Sequence, residues 1–251
     1  MVAISKKNVM IYKCILMESY PKSEIFKYIL GRIAGVRKKF DRDVIIRNNG
    51  IKINCGRIFE NCSIACSYFE KYMNKELKMD EGVFIDVGAH VGKHSIYVAK
   101  KLGNRGKVLS IEANNETANL IKENIKLNNL DNVEVFEIIC LDKKKEITFF
   151  KDDFHTATNS IYKKDGKYGI KKNADSLDNL FPNIKNVKII KIDVEGAEES
   201  VIDGAKKIIK NNKPKIIFEG NNQVNSIKNK LLKYNYRIRY LSEDNYIAEV
   251  V

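Results

Sequence analysis

The chain alternates between short apolar runs and amphipathic stretches from about residue 83 to residue 219. The apolar runs have the length of buried strands, and the stretches between them place apolar residues on one helical face. Predicted strands lie at 83–87, 107–111, 188–192 and 213–219, and predicted helices lie at 93–102, 198–210 and 224–234. This alternation predicts an α/β fold whose sheet is parallel and is connected by right-handed crossovers.

Two hairpins are predicted outside this alternating region. Residues 44–47 and 51–54 flank Asn48-Asn49-Gly50, and Asn-Gly is a strong hairpin signal. Near the other end, residues 236–241 and 246–250 flank a Ser-Glu-Asp-Asn turn.

The N-terminal third has a different pattern. Residues 8–36 resemble two short amphipathic helices split at Pro21, and a helical stretch runs from about 62 to 77. No low-complexity linker follows these segments. Residues 1–80 are therefore predicted to form an N-terminal helical and hairpin cap, and residues 81–251 the main domain.

The run from Val83 to Gly92 carries the clearest chemical signal. An apolar strand contains Asp86 near its end, and Gly88 and Gly92 precede a helix. Such a turn leaves backbone N–H groups at a crevice where open α/β sheets bind nucleotide-like ligands, although it also occurs as a plain connection. The next strand is followed by Glu112, which is placed to accept hydrogen bonds from both ribose hydroxyls.

The glycine spacing distinguishes between cofactors. A dinucleotide site needs G-x-G-x-x-G, because the second glycine lets the pyrophosphate approach the backbone. The corresponding residues are Gly88, His90 and Lys93, so two of the three glycines are missing. The turn therefore indicates a nucleoside cofactor other than a dinucleotide.

A second motif lies at 188–198, with the sequence KIIKIDVEGAE. Its acids follow an apolar strand, at the strand end where ligands bind in such folds. Asp193 and Glu195 precede the glycine and are expected to face the crevice. Glu198 and Glu199 fit the first turn of a helix, where acids complement the helix dipole.

These motifs resemble a known family. The phrase K-I-D-V-E-G-A-E resembles the signature of the FkbM family of methyltransferases, and D-V-G-A-H-V-G resembles motif I of class I S-adenosylmethionine-dependent methyltransferases. Further matches lie at 106–112, 127–133, 174–180 and 213–219. The resemblance covers roughly residues 82–219. It implies a Rossmann-like class I methyltransferase fold, with a seven-stranded, mostly parallel sheet and an antiparallel C-terminal hairpin.

The resemblance also implies S-adenosyl-L-methionine as the cofactor. In that family the glycine turn holds the amino-acid end of the cofactor, and the acid after the second strand holds its ribose. Carried onto this chain, the resemblance places at the cofactor Asp86, Gly88, Ala89, His90, Gly92, Glu112, Ala113, Cys140, Leu141, Asp142 and Asp193. The family usually has proline where this chain has Ala113. Cys140 is expected to pack near the adenine ring rather than to react.

Methyl transfer from a sulfonium is an in-line displacement, so the protein chiefly aligns the acceptor with the methyl group. A hydroxyl acceptor benefits from a nearby base. Asp193 and Glu195 are candidates for that base, or for positioning the acceptor and the cofactor amine. Lys191 would lower the pKa of neighbouring carboxylates if its ammonium faces them. His155, in the irregular segment 151–172, is either a further candidate base or an exposed loop histidine.

No metal site is predicted. His90 and His94 have helical spacing, but the Glu of H-E-x-x-H is absent. The three cysteines between residues 55 and 66 lack the paired C-x2-C spacing of zinc sites. A divalent ion held by Asp193 and its neighbours stays open as an alternative, because some O-methyltransferases use one to orient two hydroxyls.

Composition favours one soluble domain. The chain has 251 residues, and such α/β folds often form one domain of this length. No apolar run approaches the ~20 residues that span a bilayer, and no signal-peptide pattern opens the sequence. The five cysteines are odd in number and favour free thiols. A cytoplasmic protein is therefore expected.

Charge points to anionic partners or to compositional bias. The net charge is +13, and residues 1–50 hold eleven Lys and Arg against four Asp and Glu. A basic surface attracts RNA, anionic lipid or phosphorylated sugar carriers, and the cluster Arg37-Lys38-Lys39 suits a membrane surface. Lys, Ile and Asn are abundant throughout, however, so the charge also fits a bias of the whole genome.

The sequence therefore predicts an S-adenosylmethionine-dependent methyltransferase that modifies a hydroxyl on a sugar, glycolipid or small metabolite. The acceptor class comes from the family resemblance. An RNA methyltransferase is the alternative, but the chain lacks an N-P-P-Y-like motif and a recognisable RNA-binding module. A non-catalytic cofactor-binding scaffold is a third hypothesis, which the retained acids argue against. The oligomeric state is not predicted.

Overall fold

The computed structural model of the protein describes residues 43–48, 50–65, 72–153, 156–162, 168–220, 223–242 and 244–251. The strands are β1 (Ile45–Asn48), β2 (Ile51–Asn54), β3 (Gly82–Val87), β4 (Gly106–Ile111), β5 (Val133–Phe136), β6 (Ile139–Cys140), β7 (Lys145–Lys151), β8 (Tyr168–Asp175), β9 (Val187–Ile192), β10 (Lys215–Glu219), β11 (Tyr236–Ser242) and β12 (Asn245–Val250). The α-helices are α1 (Phe59–Ala65), α2 (Met73–Glu76), α3 (Lys93–Leu102), α4 (Asn115–Leu127), α5 (Leu177–Leu180), α6 (Glu198–Asp203), α7 (Lys206–Asn212) and α8 (Val224–Leu232). Short 3₁₀ turns lie at Gly103–Arg105 and Thr156–Thr158.

Seven strands form the central sheet, in the order β11-β12-β10-β9-β3-β4-β5. The neighbours from β10 to β5 pair in parallel, whereas β12 pairs antiparallel with both β10 and β11. This arrangement confirms the predicted mostly parallel sheet with an antiparallel C-terminal hairpin.

The central strands are buried on both faces, which explains why they appear in the sequence as continuous apolar runs. Successive residues point to opposite faces of the sheet. One face packs in a cluster with α2 and α3 through Phe84, Val108, Ile189 and Ile217. The other packs in a cluster with α6, α7 and α8 through Ile85, Leu109, Ile190 and Ile216.

A second sheet of three strands, in the order β6-β8-β7, lies outside the central sheet. Irregular structure was predicted across residues 151–172, and this is wrong for its last part, because β8 begins at Tyr168 and pairs antiparallel with β7. The inward positions of β8 are Ile170, Lys172 and Ala174. The stem of Lys172 is buried while its ammonium donates to the Ala113 carbonyl. Because a lysine thus occupies an inward position, the sequence of β8 does not show the usual alternation of apolar and polar residues.

The helix predicted at 198–210 is divided into α6 and α7. The Gly204 carbonyl accepts a hydrogen bond from Asp178 N at 2.9 Å. The Asp178 carboxylate in turn accepts from the amides of Lys207 and Ile208, which satisfies two donors at the start of α7. The interruption is therefore stabilised by a residue in α5, far away in the sequence.

The predicted N-terminal hairpin is formed by β1 and β2, which pair antiparallel. Its apolar side packs on Val91 and Ile96 of the main domain. Asn124 of α4 bonds both the amide and the carbonyl of Asn54. The helices predicted at 8–36 and the basic cluster at 37–39 lie outside the described residues, so the division at residue 80 stays a prediction.

Within the described ranges, no helix is long and apolar enough to cross a bilayer.

Candidate active site

A cavity of about 400 Å³ lies at the carboxyl ends of β3, β4, β9 and β10. The carboxyl ends of parallel strands meet at one edge of a sheet, and ligands of open α/β folds bind there. The glycine turn after β3 and the strand-end acids line the cavity, and residues 156 and 158–161 form part of its wall.

The glycine turn connects β3 to α3 and is bonded to the end of β4. The amides of Gly88 and Ala89 both donate to the Ile111 carbonyl, at 2.9 and 3.1 Å. Gly88 has φ 78°, and a Cβ at this position would lie 1.8 Å from the Asp193 carbonyl oxygen. The turn was expected to direct its amides at a ligand, but these two are used within the protein. The turn contributes instead a backbone close enough to β9 to shape the cavity.

Glu112 lies directly after β4 and lines the cavity. Its Oε2 accepts from His90 N at 2.8 Å, and its Oε1 accepts from Asn114 N at 2.7 Å. Burial raises the pKa of Glu112, while these two amides and the Thr117 hydroxyl oppose that shift. Each carboxylate oxygen is thus oriented by one backbone donor and keeps a lone pair for a further donor.

Asp86 lies behind the turn, outside the cavity lining, and is completely buried. Its Oδ2 accepts from Ser95 Oγ at 2.6 Å, and Ser110 Oγ donates to Ser95 Oγ at 2.7 Å. The Lys191 ammonium is 4.0 Å from Asp86 Oδ1 and donates to Asp193 Oδ2 at 3.0 Å. Lys191 is itself buried, so one ammonium joins the ends of β3 and β9.

The turn after β9 is held in an uncommon conformation. Glu195 has φ 56°, in the left-handed region that few residues other than glycine adopt. Ser160 Oγ donates to the Glu195 carbonyl at 2.8 Å. The buried Glu198 carboxylate accepts from the amides of Val194 and Gly196, and burial raises its pKa. Glu198 therefore supports the turn that carries Asp193 and Glu195.

Three carboxylates meet at the cavity, and we call them the strand-end acids: Asp193, Glu195 and Glu219. One oxygen of each lies within 4.8 Å of the other two. Burial raises the pKa of Glu219 to about 7, aided by the charges of Asp193, Glu195 and Glu198 and opposed by Lys191. The spacing would also suit a divalent cation, but we assign no metal ligand here, because the Asp193 carboxylate is already paired with the Lys191 ammonium.

A buried hydrogen-bond chain joins the glycine turn to the N-terminal region. Asn61 Nδ2 donates to the Cys55 carbonyl, so Asn61 Oδ1 is left as an acceptor. Thr156 Oγ1 donates to that oxygen at 2.7 Å and therefore accepts from His90 Nε2, which is 2.9 Å away. Burial lowers the pKa of His90 to about 4, with Asp193 opposing and Lys191 adding to the shift, so the ring is neutral with its proton on Nε2.

The remaining predicted residues are placed as follows. Ala113 and Cys140 line the cavity, and burial raises the pKa of the Cys140 thiol. Leu141 is buried in a neighbouring cluster, and Asp142 bonds Lys145 and Ser200, so neither lies on the cavity wall.

Three further residues discussed in the sequence analysis lie in different places. Gly92 is the N-cap residue directly before α3, also away from the cavity wall. His155 lies outside the described residues, and its role stays a prediction. His94 is buried at the cavity.

Four residues near the cavity were not among the predicted site residues. Glu219, like Glu112, is an acid at the carboxyl end of a strand. This pattern in the sequence could have identified Glu219 as a candidate site residue. Asn61, Thr156 and Ser160 carry no such signal, because their partners lie 95, 66 and 35 residues away.

The sheet order, the glycine turn and the acid after β4 together define the fold of the class I S-adenosylmethionine-dependent methyltransferases. A family model described as the methyltransferase FkbM domain matches residues 86–238, more than half of the chain. The chain belongs to this FkbM methyltransferase family, as the sequence resemblance predicted.

Solved structures of similar fold include methyltransferase FkbM from Methylobacillus flagellatus KT. It matches with a TM-score of 0.53 at 13% identity, covering 97% of this chain and 58% of that one, so this chain spans less than two thirds of its length. A putative transferase from Pyrococcus horikoshii matches with a TM-score of 0.50 at 15% identity, covering 96% and 97%. M. jannaschii TYW2 in complex with AdoMet matches with a TM-score of 0.50 at 14% identity, covering 86% and 90%. A search of curated proteins finds no match for this chain.

Proposed function

We propose that this protein uses S-adenosyl-L-methionine to methylate a hydroxyl group of a sugar, glycolipid or other small metabolite. The observation that carries the proposal is the Glu112 carboxylate. Two backbone amides orient it beside the glycine turn, and it faces a cavity whose opposite side holds the strand-end acids. A carboxylate so oriented is suited to bind a ribose diol.

The residues present fit the proposed cofactor. Glu112 would hold the ribose hydroxyls, and the apolar wall of Ile138, Ile139 and Phe149 would take the adenine. Asp193 would hold the amino-acid end, in the part of the cavity that the backbone of the glycine turn shapes. When bound, the cofactor supplies a methyl group on a positively charged sulfur. The AdoMet complex of TYW2, a protein of the same fold, supports this choice of ligand.

The strand-end acids favour a hydroxyl acceptor. Carboxylates accept hydrogen bonds from hydroxyl groups, as sugars and glycolipid headgroups provide. Three clustered carboxylates beside one ammonium repel phosphates, which disfavours a nucleic acid at this part of the cavity. Lys191 orients Asp193, and the turn supported by Glu198 orients Glu195, so these residues would position the acceptor.

We include two further elements in the proposal. The basic residues 1–50, with a net charge of +7 from eleven Lys and Arg against four Asp and Glu, would attract anionic lipid or a phosphorylated carrier of the acceptor. The thiols of Cys55, Cys62 and Cys140 are buried and form no disulfide, which suits the reducing conditions of the cytoplasm, where we place the protein.

The first test is calorimetric titration with S-adenosylmethionine and S-adenosylhomocysteine, with NAD as the control ligand. We expect micromolar binding of the first two ligands and no signal with NAD. Binding of NAD alone, or of none of the three, would overturn the cofactor assignment.

The acceptor is then identified with labelled methyl donor and fractionated cell extract. We expect label in the glycan, glycolipid or small-molecule fraction. Label confined to the RNA fraction would contradict the acceptor class and leave the cofactor assignment intact.

A further inference from the structure

We propose that Glu219, rather than Asp193 or Glu195, accepts the proton of the acceptor hydroxyl. Glu219 is the last residue of β10 and lines the cavity beside the turn that follows β9. The inference rests on the proposed function, since it assigns a role in transfer to a hydroxyl.

The three strand-end acids differ in their partners. Asp193 is hydrogen-bonded to the Lys191 ammonium at 3.0 Å. Within the described ranges, the Glu219 carboxylate has no hydrogen-bond or ion-pair partner. The Glu219 carboxylate is therefore available to a ligand in the cavity.

The charges around Glu219 favour its protonated form. Asp193 and Glu195 place carboxylate oxygens within 4.8 Å, and the buried Glu198 adds a third negative group nearby. Lys191 is the ammonium that opposes them. Carboxylates at such distances do not all ionise together, because each charge raises the cost of the next. Glu219 is therefore the strand-end acid whose protonated form these surroundings favour.

The ionisation of Glu219 suits a base at neutral pH. Burial, reinforced by the surrounding carboxylates, raises the pKa of Glu219 to about 7. A catalytic base works best when its pKa lies near the working pH, because it is then partly deprotonated and still holds a proton well.

In the proposed step, the methyl group moves to the acceptor oxygen and the hydroxyl proton moves to Glu219. The acceptor oxygen forms a bond to the methyl carbon, and the carbon–sulfur bond breaks with its electron pair going to sulfur. The hydroxyl proton passes to a carboxylate oxygen of Glu219. The positive charge of the sulfonium is lost, and the proton neutralises the carboxylate. No further reactant is needed.

The ligand-free protein provides the first test. Protein labelled with ¹³C at the glutamate side-chain carboxyl is titrated by NMR, in wild type and in Glu219→Gln. Glu146→Gln is the matched control, since Glu146 is an exposed glutamate paired with Lys171. We expect one resonance that titrates near pH 7, present in the control and absent from Glu219→Gln. If every glutamate titrates below about pH 5.5, in the ordinary range, the inference is overturned.

Methyl transfer to the active extract fraction provides the second test. We expect the wild-type rate to rise through about pH 7, as deprotonation of Glu219 requires. Glu219→Gln should lose about 100-fold in rate and lose this pH dependence, while Glu146→Gln keeps both. A Glu219→Gln variant that retains the wild-type rate and pH profile would also overturn the inference.

Binding of S-adenosylhomocysteine separates this inference from the proposed function. We expect Glu219→Gln to bind it with affinity close to that of wild type. If wild type fails to bind it, the proposed function fails. If wild type binds and transfers methyl groups while no glutamate titrates near pH 7, only the assignment of Glu219 fails.

Discussion

The cavity has two unlike edges, each with a glutamate at the carboxyl end of a strand. At the β3–β4 edge, both oxygens of Glu112 accept backbone N–H groups, at 2.8 and 2.7 Å. At the β9–β10 edge, Glu219 faces other carboxylates and one ammonium. One carboxylate is fixed as an acceptor, and the other can exchange a proton. Hydrogen-bond partners, and not residue type or strand position, determine what each glutamate can do.

The contact between the two edges depends most on Lys191. In Lys191→Met, the buried Asp86 and the Asp193 carboxylate lose their shared cation. Removing one partner of a buried ion pair costs about 3–5 kcal/mol, so we expect a loss of that size in the free energy of unfolding. Urea denaturation measures it. Lys107→Met, which removes an exposed pair with Glu134, should cost below about 1 kcal/mol; equal losses in the two variants would contradict the assignment.

Substitution of Gly88 tests how closely the glycine turn after β3 approaches the backbone after β9. In Gly88→Ala, the new Cβ would lie 1.8 Å from the Asp193 carbonyl oxygen at φ 78°, and we expect a loss of about 3 kcal/mol in unfolding free energy. Gly50→Ala is the matched control, because φ is 80° and no atom lies within 4 Å of the new Cβ. Its cost should be about 1 kcal/mol. Chemical denaturation of both variants measures the two losses in unfolding free energy. Similar losses would mean that the backbones at Gly88 and Asp193 are not in close contact.

The same substitution should have opposite effects at the two glutamates. Glu112→Gln sets an NH2 group against one backbone donor, so we expect a loss of about 1–3 kcal/mol in unfolding free energy at pH 8. Glu219→Gln removes a repelled charge and should stabilise the protein at pH 8. Exposed Glu134→Gln is the control and should change stability little. If Glu112→Gln and Glu219→Gln change the unfolding free energy in the same direction, the two edges of the cavity do not differ as described.

The stabilisation by Glu219→Gln should depend on pH in a defined direction. Because the pKa of Glu219 is raised from its usual 4.5 to about 7, its contribution is present below 4.5 and is lost as the pH rises through 7. Wild type should lose about 1–2 kcal/mol relative to Glu219→Gln between pH 5 and 8, a value reduced because the carboxylate is only half-buried. Urea denaturation at several pH values measures the difference. Parallel curves for the two proteins would contradict the raised pKa.

An effect of similar size is expected at Thr156, where the cavity wall meets the glycine turn. Thr156→Val leaves His90 Nε2 and Asn61 Oδ1 without their partner, which we expect to cost about 1–2 kcal/mol. Affinity for S-adenosylhomocysteine should fall by less than in Glu112→Gln. Thr156→Ser keeps the hydroxyl and should restore most of both quantities. If Thr156→Val keeps the wild-type stability and affinity while Thr156→Ser loses them, packing of the methyl group, and not the hydrogen bond, is what matters.

The central sheet and the β3–β4 edge could be predicted from the sequence because their signals are local. Apolar runs buried on both faces mark the strands, and Glu112 follows the glycine turn at a fixed spacing. The role of Glu219 could not be predicted in this way, because it depends on β10 lying beside β9 and on the partners of each carboxylate. The chain from His90 through Thr156 to Asn61 joins distant segments and leaves no pattern. The strand β8 was missed because Lys172 occupies an inward position.

The small sheet of β6, β7 and β8 forms a part of the cavity wall that is separate from the central sheet. It contributes Phe149 to the cavity, and the segment after β7 contributes Ser160 and Ile161, yet in the part of the chain that the structure describes no strand of this sheet pairs with the central one. Insertions or exchanges between β7 and β8 therefore change one wall without shifting the register of the strands that hold Glu112. Under the proposed function, changes confined to the segment between β7 and β8 would alter acceptor selectivity while Ile139 and Phe149 keep the wall for the adenine, so a laboratory seeking altered selectivity would randomise this segment first.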